Sequence, residues 1–429
     1  MAGGGTLKSF DAMLERAAKP VNLYAEDLTL KFSGEARYRL EVRDDFNLND
    51  ATFEDDAINL FRNRLGMEIA AGPYAKVFTQ IQDAEAGASR EAHKSEKFIN
   101  RFDLHQLYAD FKSPWEELPV SLRVGRQKLV YGDQRLVGAF EWSNVARSFD
   151  AVKAVWTPSG KFQTDLFFAR PVWVIKSQAD TAVQHDNFYG LYTSLLPWAD
   201  QVFDAFLFIR HDRNDQIAGE RSGQFGELKE YTVGNRFKGK KHGFDYGIEW
   251  AWQFGSKAHE NIAAWAWHQD LGYTFKCPWQ PRLSFEYNHA SGDSDAKDGE
   301  TENFDNLFPT NHIHYGYIDF ASLRNTDNFK AGLDFKPKPY FSILYAHHWF
   351  FLDTEGSAWF DASQAVIRSS APGASTTLGQ EDDILLKIRL SAHLELAIGY
   401  SHFHAGAFAR DTGTSDDAEF FYVMPTLSF

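Results

Sequence analysis

LKFSGEARYRLEVRD, residues 30–44, sorts by parity into two surfaces. Leu30, Phe32, Gly34, Ala36, Tyr38, Leu40 and Val42 are apolar or small, whereas Lys31, Ser33, Glu35, Arg37, Arg39, Glu41 and Arg43 are charged but for one serine. Successive side chains of a strand point to opposite faces, so the stretch reads as a strand with one apolar and one charged face. The fold turns on what the apolar face rests against.

The pattern recurs along the chain. Phe244, Tyr246, Ile248, Trp250, Trp252 and Phe254 alternate with Asp245, Gly247, Glu249, Ala251 and Gln253. Similar alternation runs through 282–288, 328–336 and 383–390, and further candidates follow from residue 60 to the C-terminus. About 18 such segments can be marked, each near the length a tilted membrane strand requires. Short turn signals such as AGPY (71–74), PSGK (158–161) and PKPY (337–340) separate some of them, and long polar stretches such as 291–306 and 369–383 separate others. Residues 6–18 differ: Leu7, Phe10, Met13, Leu14 and Ala17 stand at helical spacing. The reading divides the chain into a leader or short plug over 1–27 and a barrel over 28–429.

Composition agrees. Aromatics make up 16% of the 429 residues, yet the mean hydropathy is -0.42. Single-residue alternation produces both facts together. No apolar run approaches the ~18 residues of a membrane helix, which leaves β-strands as the way to span. A soluble sandwich or propeller would pack such apolar faces on one another. Aromatics near strand ends, charged or amide-bearing residues along many of the opposite faces and the C-terminal EFFYVMPTLSF argue against it. That ending carries Phe421, Val423, Leu427 and Phe429 on one parity, and it resembles the recognition signal of bacterial outer-membrane barrels. In hydrocarbon an open sheet edge is very costly, so the sheet must close. The expected fold is all-β: a transmembrane antiparallel β-barrel of about 18 strands in one chain.

The net charge of -15 and the lack of a basic run exclude a duplex nucleic-acid binder of the usual kind. The single cysteine, Cys277, excludes an internal disulfide. MAGGGTLKSF lacks the charged and apolar regions of an export signal, so the expectation is that the signal is absent from this chain or the protein is not exported.

A barrel of this size holds water, so inward charges line a path. The inward candidates on the first two strands are Lys31, Arg37, Arg39, Arg43, Arg62 and Arg64; Arg123, Lys153, Arg236, Arg282, Lys330, Lys387 and Arg389 follow, with Glu35, Glu41, Glu249 and Glu286 among them. Arg and Lys rings favour anions, and guanidinium forks suit carboxylates. The bland alternative is that these charges pair with one another and brace the wall.

Two longer stretches name a family. RVGRQKLVYGDQRLVGAFEWSNVARSFDA (123–151) and ASGDSDAKDGETENFDNLFPTNHIHYGYIDF (290–320) resemble the alginate-export family of outer-membrane porins. The resemblance implies a monomeric barrel whose electropositive constriction passes a linear uronic-acid polymer, with Arg126, Asp133, Arg135, Arg147 and Asp150 as the motif residues at that constriction. It also implies outer-membrane lipids and lipopolysaccharide around the wall and export partners in the periplasm. The alternatives are a non-selective or small-anion porin and a barrel hydrolase. Neither GxSxG nor HExxH occurs, so no enzyme is expected. His312/His314, His347/His348 and His402/His404 come in pairs, and an H-x-H pair on a strand suits a metal, but spacing alone places no third ligand. Asp293, Asp295 and Asp298 make a weak Ca²⁺ candidate without EF-hand spacing; a solvated loop whose acids share cations with lipopolysaccharide is the simpler reading. No other cofactor is expected.

Overall fold

The computed structural model describes residues 3–22, 27–50, 56–87, 98–176, 178–219 and 224–429. Among them eighteen long strands form one closed wall. They are β1 Leu28–Asp44, β2 Asp56–Ala71, β3 Ala75–Gly87, β4 Asn100–Lys112, β5 Val120–Gln127 and β6 Phe149–Ser159. Next come β7 Phe162–Trp173, β8 Asp186–Leu195, β9 Gln201–Ala218, β10 Phe225–Lys241, β11 Phe244–Lys257 and β12 Glu260–Thr274. The last six are β13 Arg282–Ala290, β14 Thr326–Lys338, β15 Phe341–Phe351, β16 Thr377–Arg389, β17 Leu394–Ala405 and β18 Ala418–Ser428. Each strand pairs antiparallel with the next, and β18 pairs back onto β1, with Glu35 opposite Ser428 and Val42 opposite Phe421.

The seam is made by the opening strand and the last residue. Gly34 N–H donates to the Phe429 carbonyl at 3.0 Å, and Phe429 N–H returns the bond to Gly34 at 3.1 Å. Gly34 belongs to the outward parity, and a Cβ there would overlap the Phe429 ring. The small residue in an otherwise large apolar row therefore makes room for the terminal aromatic.

The two ends of the wall differ. Turns such as 160–161, 242–243 and 339–340 close the end that holds the termini, while loops 128–148, 291–325 and 352–376 rise from the other. Bacterial barrels carry short turns on the periplasmic side and long loops outside. The N-terminal helix Gly3–Ala18 lies at the short-turn end, where Ser391 Oγ donates to Asp11 at 2.7 Å and Leu14 is buried. The side chains of Leu7 and Phe10 fall outside the described residues.

The outer face is apolar and exposed, as at Phe61, Leu65, Trp252 and Phe285. The inner face adds something to the expected charge-lined path. Phe149, Phe167, Phe188, Phe206 and Phe208 of β6–β9 point inward and are buried. Phe167 and Phe188 stand 5.3 Å apart, Phe188 and Phe208 5.6 Å. Gly190 lies under the Phe167 ring, again leaving no room for a Cβ. One arc of the barrel is thus filled by a dry core, and open space is left against β1, β2 and β16–β18.

Gly34→Val sets a branched side chain against the Phe429 ring, an overpacking that costs about 1–3 kcal/mol. The midpoint for converting the compact to the heat-unfolded band on a semi-native gel should fall; an unchanged midpoint shows that the seam does not depend on this contact.

Candidate functional site

Loop 128–148 turns into the barrel because its sequence is not that of a solvated loop. Leu129, Tyr131, Leu136 and Val137 are buried, and Tyr131 stacks at 5.5 Å on Phe167 of the aromatic arc. Loop 291–325 joins it. Val137 bridges Phe308 in parallel, Gly138 N–H donates to the Phe308 carbonyl at 2.8 Å, and Thr310 N–H donates to the Gln134 carbonyl at 2.9 Å. Together the two segments form a partition inside the lumen.

Charges from both sides pin this partition. From β1, Arg37 Nη1 donates to the Glu141 carbonyl at 2.8 Å and Arg39 Nη1 to the Trp142 carbonyl at 2.6 Å. From β2, Arg62 Nη1 donates to the carbonyls of Glu141 at 2.9 Å and Ser143 at 3.1 Å, and Arg64 Nη1 lies 2.7 Å from Glu141 Oε2. The other Glu141 oxygen pairs with the Lys128 ammonium. Across the barrel, Asp133 pairs with Arg236 at 3.0 Å and Lys238 at 2.7 Å, and Arg135 with Glu286 at 2.8 Å and the Tyr315 hydroxyl at 3.3 Å. Burial pushes the Glu141 carboxyl up, but Arg64, Lys128 and Arg62 together outweigh it and hold it below the ordinary range.

The lining shared by the two sides of the partition is aromatic. Trp142 lies between the Arg39 guanidinium at 3.8 Å and the His312 ring at 3.8 Å, nearly parallel to the latter. Tyr422 meets it edge-on at 4.9 Å, and Tyr317 lies 4.9 Å beyond His312. Trp142 and Tyr317 border two cavities, one of about 530 Å³ toward the termini and one of about 1050 Å³ toward the long loops. The inner cavity is lined by Arg37, Arg62, Arg64, Lys128 and Lys387 against Glu35, Glu141 and Glu395. The outer is lined by Arg39, Arg43, Arg147, Arg210 and Arg368 against Asp186, Asp212, Asp319 and Asp361. Basic groups outnumber acidic ones on both sides of the partition.

Most of these cations are partnered: Arg62 with Glu35 at 2.6 Å, Arg39 with Glu41 at 2.7 Å, Arg210 with Asp186 at 2.9 Å. Four are not paired to an acid. Among the described residues, Arg37 donates to three carbonyls and the Asn144 side chain, Arg147 to the carbonyls of Gly138 and Pro309, and Arg368 to those of Ala409 and Thr414, while Lys387 is exposed, with no carboxylate within 4.0 Å of any of the four. Burial and the neighbouring Arg210 lower the Arg147 guanidinium to about 10, still charged at neutral pH.

The remaining sequence candidates divide. Arg43 sits on Glu41 at 2.7 Å beside the outer cavity, and Lys153 reaches Asp165 at 3.4 Å. Arg282 is shared by Asp245 at 2.6 Å and Asp334 at 3.0 Å, which makes it a wall brace. Lys31 is exposed opposite Glu68. Arg126 and Asp150 are corrected. They pair with each other at 2.8 Å, but Arg126 stands opposite Leu107 and shares its parity with Leu122 and Val124, while Asp150 shares that of Val152. Leu107, Leu122, Val124 and Val152 are exposed apolar residues of the outer face, so this pair is not on the lumen side. The carboxylates of Asp293, Asp295 and Asp298 accept backbone N–H groups within their own loop, from Asp295, Lys297 and Glu300 respectively. Among the described residues two groups of three His or Asp bring ligand atoms within 4.8 Å of one another, and neither contains these acids.

Sequence reasoning missed Glu141, Trp142, His312 as a stacking partner, and Tyr317. The available signal was apolar density: RLVGAFEW is too greasy for a loop exposed to water.

Glu141→Gln removes the charge that gathers Arg64, Lys128 and Arg62, so the partition should loosen and single-channel conductance in a planar bilayer should rise. In the wild type, the depressed carboxyl contributes stability above its unfolded value of 4.5 and loses it only as pH falls through the lower folded value. Conductance should accordingly hold steady down through pH 4.5. A variant with wild-type conductance shows that the backbone contacts suffice.

Comparison with known proteins agrees with the architecture. Solved structures with the same fold include the outer-membrane protein OprD of Pseudomonas aeruginosa, 10% identical with a TM-score of 0.61 over 94% of both chains. Another is OccK2 (OpdF) of the same organism in complex with glucuronate, 10% identical with a TM-score of 0.61 over 93% of this chain and 98% of that one. No curated protein matches. The profile of the alginate-export family matches residues 28–423, nearly the whole barrel. The chain therefore belongs to the alginate-export family, as an outer-membrane channel built on a porin-like barrel.

Proposed function

We propose that this channel passes an anionic solute, best read as a uronic-acid chain of the alginate type, by facilitated diffusion. The observation that carries the reading is the set of cavity-lining cations without a carboxylate partner, with Arg37 the buried one on the inner cavity and Arg147 the one beside the partition on the outer. These two are oriented by carbonyls and remain able to take a carboxylate from outside the protein. A solute carboxylate then moves between fixed positive sites, each weak enough to release it. The other arginines, satisfied by acids or loop carbonyls, brace the wall and set the field.

Two further facts support a uronate. The family is named for alginate export, and a protein of the same fold was solved with glucuronate. The fold and family also favour a channel over an enzyme. The pinned partition gives weight to the second reading, a porin for small anions, because a polymer needs the loops to yield.

In planar bilayers the wild type should be anion-selective, and glucuronate and oligouronates should block the current. Oligomers that block more strongly with length point to the polymer; block by the monomer alone points to the small-anion porin. Cation selectivity with no block rejects both. Arg37→Gln and Arg147→Gln should each weaken block by roughly tenfold to hundredfold, the loss of one charge-assisted contact. Arg282→Gln, a braced position, should leave block unchanged.

A further inference from the structure

The outer rim of the wall carries a cluster that the channel does not use. His402 and His404 lie on the outward parity of β17, the parity of Tyr400 and Ile398, at the long-loop end. Asp417 approaches from the residues just before β18. His402 Nε2 is 3.2 Å from His404 Nδ1, His404 Nδ1 is 3.1 Å from Asp417 Oδ2, and His402 Nε2 is 3.5 Å from the same oxygen. We propose that His402, His404 and Asp417 form a binding site for a divalent transition metal of the zinc class.

The triangle has the right size. Zinc holds imidazole nitrogen and carboxylate oxygen at about 2.0–2.2 Å, which sets the edges of a tetrahedral face at about 3.3–3.6 Å. Edges of 3.1, 3.2 and 3.5 Å close onto such a face with small adjustments. Three protein ligands leave a fourth position for water. The donor set of two imidazoles and one carboxylate suits zinc, nickel or copper and does not suit calcium or magnesium.

The surroundings match as well. A ligating imidazole generally gives its other N–H to a carboxylate. His402 Nδ1 faces Glu419 Oε1 at 3.3 Å, and His404 Nε2 faces Asp382 Oδ2 at 3.8 Å. Asp417 is aimed in turn, because its Oδ1 accepts the Ala405 N–H at 2.9 Å. Asp382 is itself held by the Tyr345 hydroxyl at 2.6 Å and His347 Nδ1 at 2.8 Å.

A hydrogen-bonded histidine pair would account for the short contact between the rings. It would not account for both remaining nitrogens facing acids while the two inner nitrogens converge on a third carboxylate. The second cluster of this kind makes the contrast. At His289 the carboxylates of Asp327 and Asp353 approach the same Nδ1, at 3.0 and 3.9 Å. Asp327 already accepts the Tyr287 hydroxyl, and Asp353 the Gly292 N–H. That set offers a single imidazole nitrogen where the first offers two, and reads as an anchored histidine.

An occupied site would clip the ends of loop 406–417, whose Ala409 and Thr414 carbonyls hold Arg368 at the border of the outer cavity. The test uses the full chain folded in detergent, without a polyhistidine tag, titrated calorimetrically with Zn²⁺ near neutral pH. One tight equivalent is expected, and Co²⁺ in its place should give the visible bands of a tetrahedral site. His402→Ala and His404→Ala should each abolish the tight equivalent, and Glu419→Gln should weaken it by about tenfold to hundredfold. His289→Ala should bind as the wild type does. Heat-modified gel mobility verifies that each variant still forms the barrel, and these side chains lie on the outer surface at the opposite end of the wall from the Gly34–Phe429 contact. The proposal is overturned if the wild type takes no Zn²⁺ at millimolar concentration, if the His402 and His404 variants keep the tight equivalent, or if only His289→Ala removes it.

Discussion

Every backbone N–H and C=O in hydrocarbon must find a partner within the protein, and that requirement shapes the whole molecule. One long sheet of antiparallel neighbours satisfies all but its two edges. The edges are the opening strand and the final one, and their union at Gly34 and Phe429 removes both. Once the wall closes on eighteen strands it encloses more space than its own inward side chains can fill. The interior must therefore be water, core or loop, and this barrel uses all three.

The distribution follows side-chain chemistry. On β6–β9 inward Phe residues exclude water and receive the apolar half of loop 128–148. Against β1 and β2 the inward residues are arginines, which cannot be left dry and unpartnered. They find carboxylates or the carbonyls of the folded-in loop. The same contacts that satisfy the arginines hold Trp142 against Arg39 and His312, between the two cavities. Under the proposed function, wall bracing and solute path are a division of labour among neighbouring guanidiniums. Arg62 and Arg39 have acid partners, and Arg37 has only carbonyl and amide oxygens.

Much of the wall was legible in the chain. The period-two segments correspond to the eighteen strands, since pleating is local and needs no knowledge of distant residues. The inward placement of Arg37, Arg39, Arg62 and Arg64 follows from the same parity. Arg126 and Asp150 were misplaced because family likeness was followed where parity pointed the other way: Leu122, Val124 and Arg126 alternate in step. Glu141 and His312 lay in segments without period, where nothing local says that a loop leaves water and enters the lumen.

The sequence by itself determined that this chain closes into a membrane barrel with charge on one face of its strands, because alternation is a property of adjacent residues. It also placed His402 and His404 on one face of one strand. Only the tertiary structure decided which arginines are satisfied by acids and which by carbonyls, where two loops divide the lumen into two cavities, and that Asp417 meets the two histidines. Those outcomes rest on contacts such as Arg37 with Glu141 and Arg135 with Glu286, between residues more than a hundred positions apart. They form only when closure brings opposite walls and inserted loops together, and no local pattern encodes that meeting.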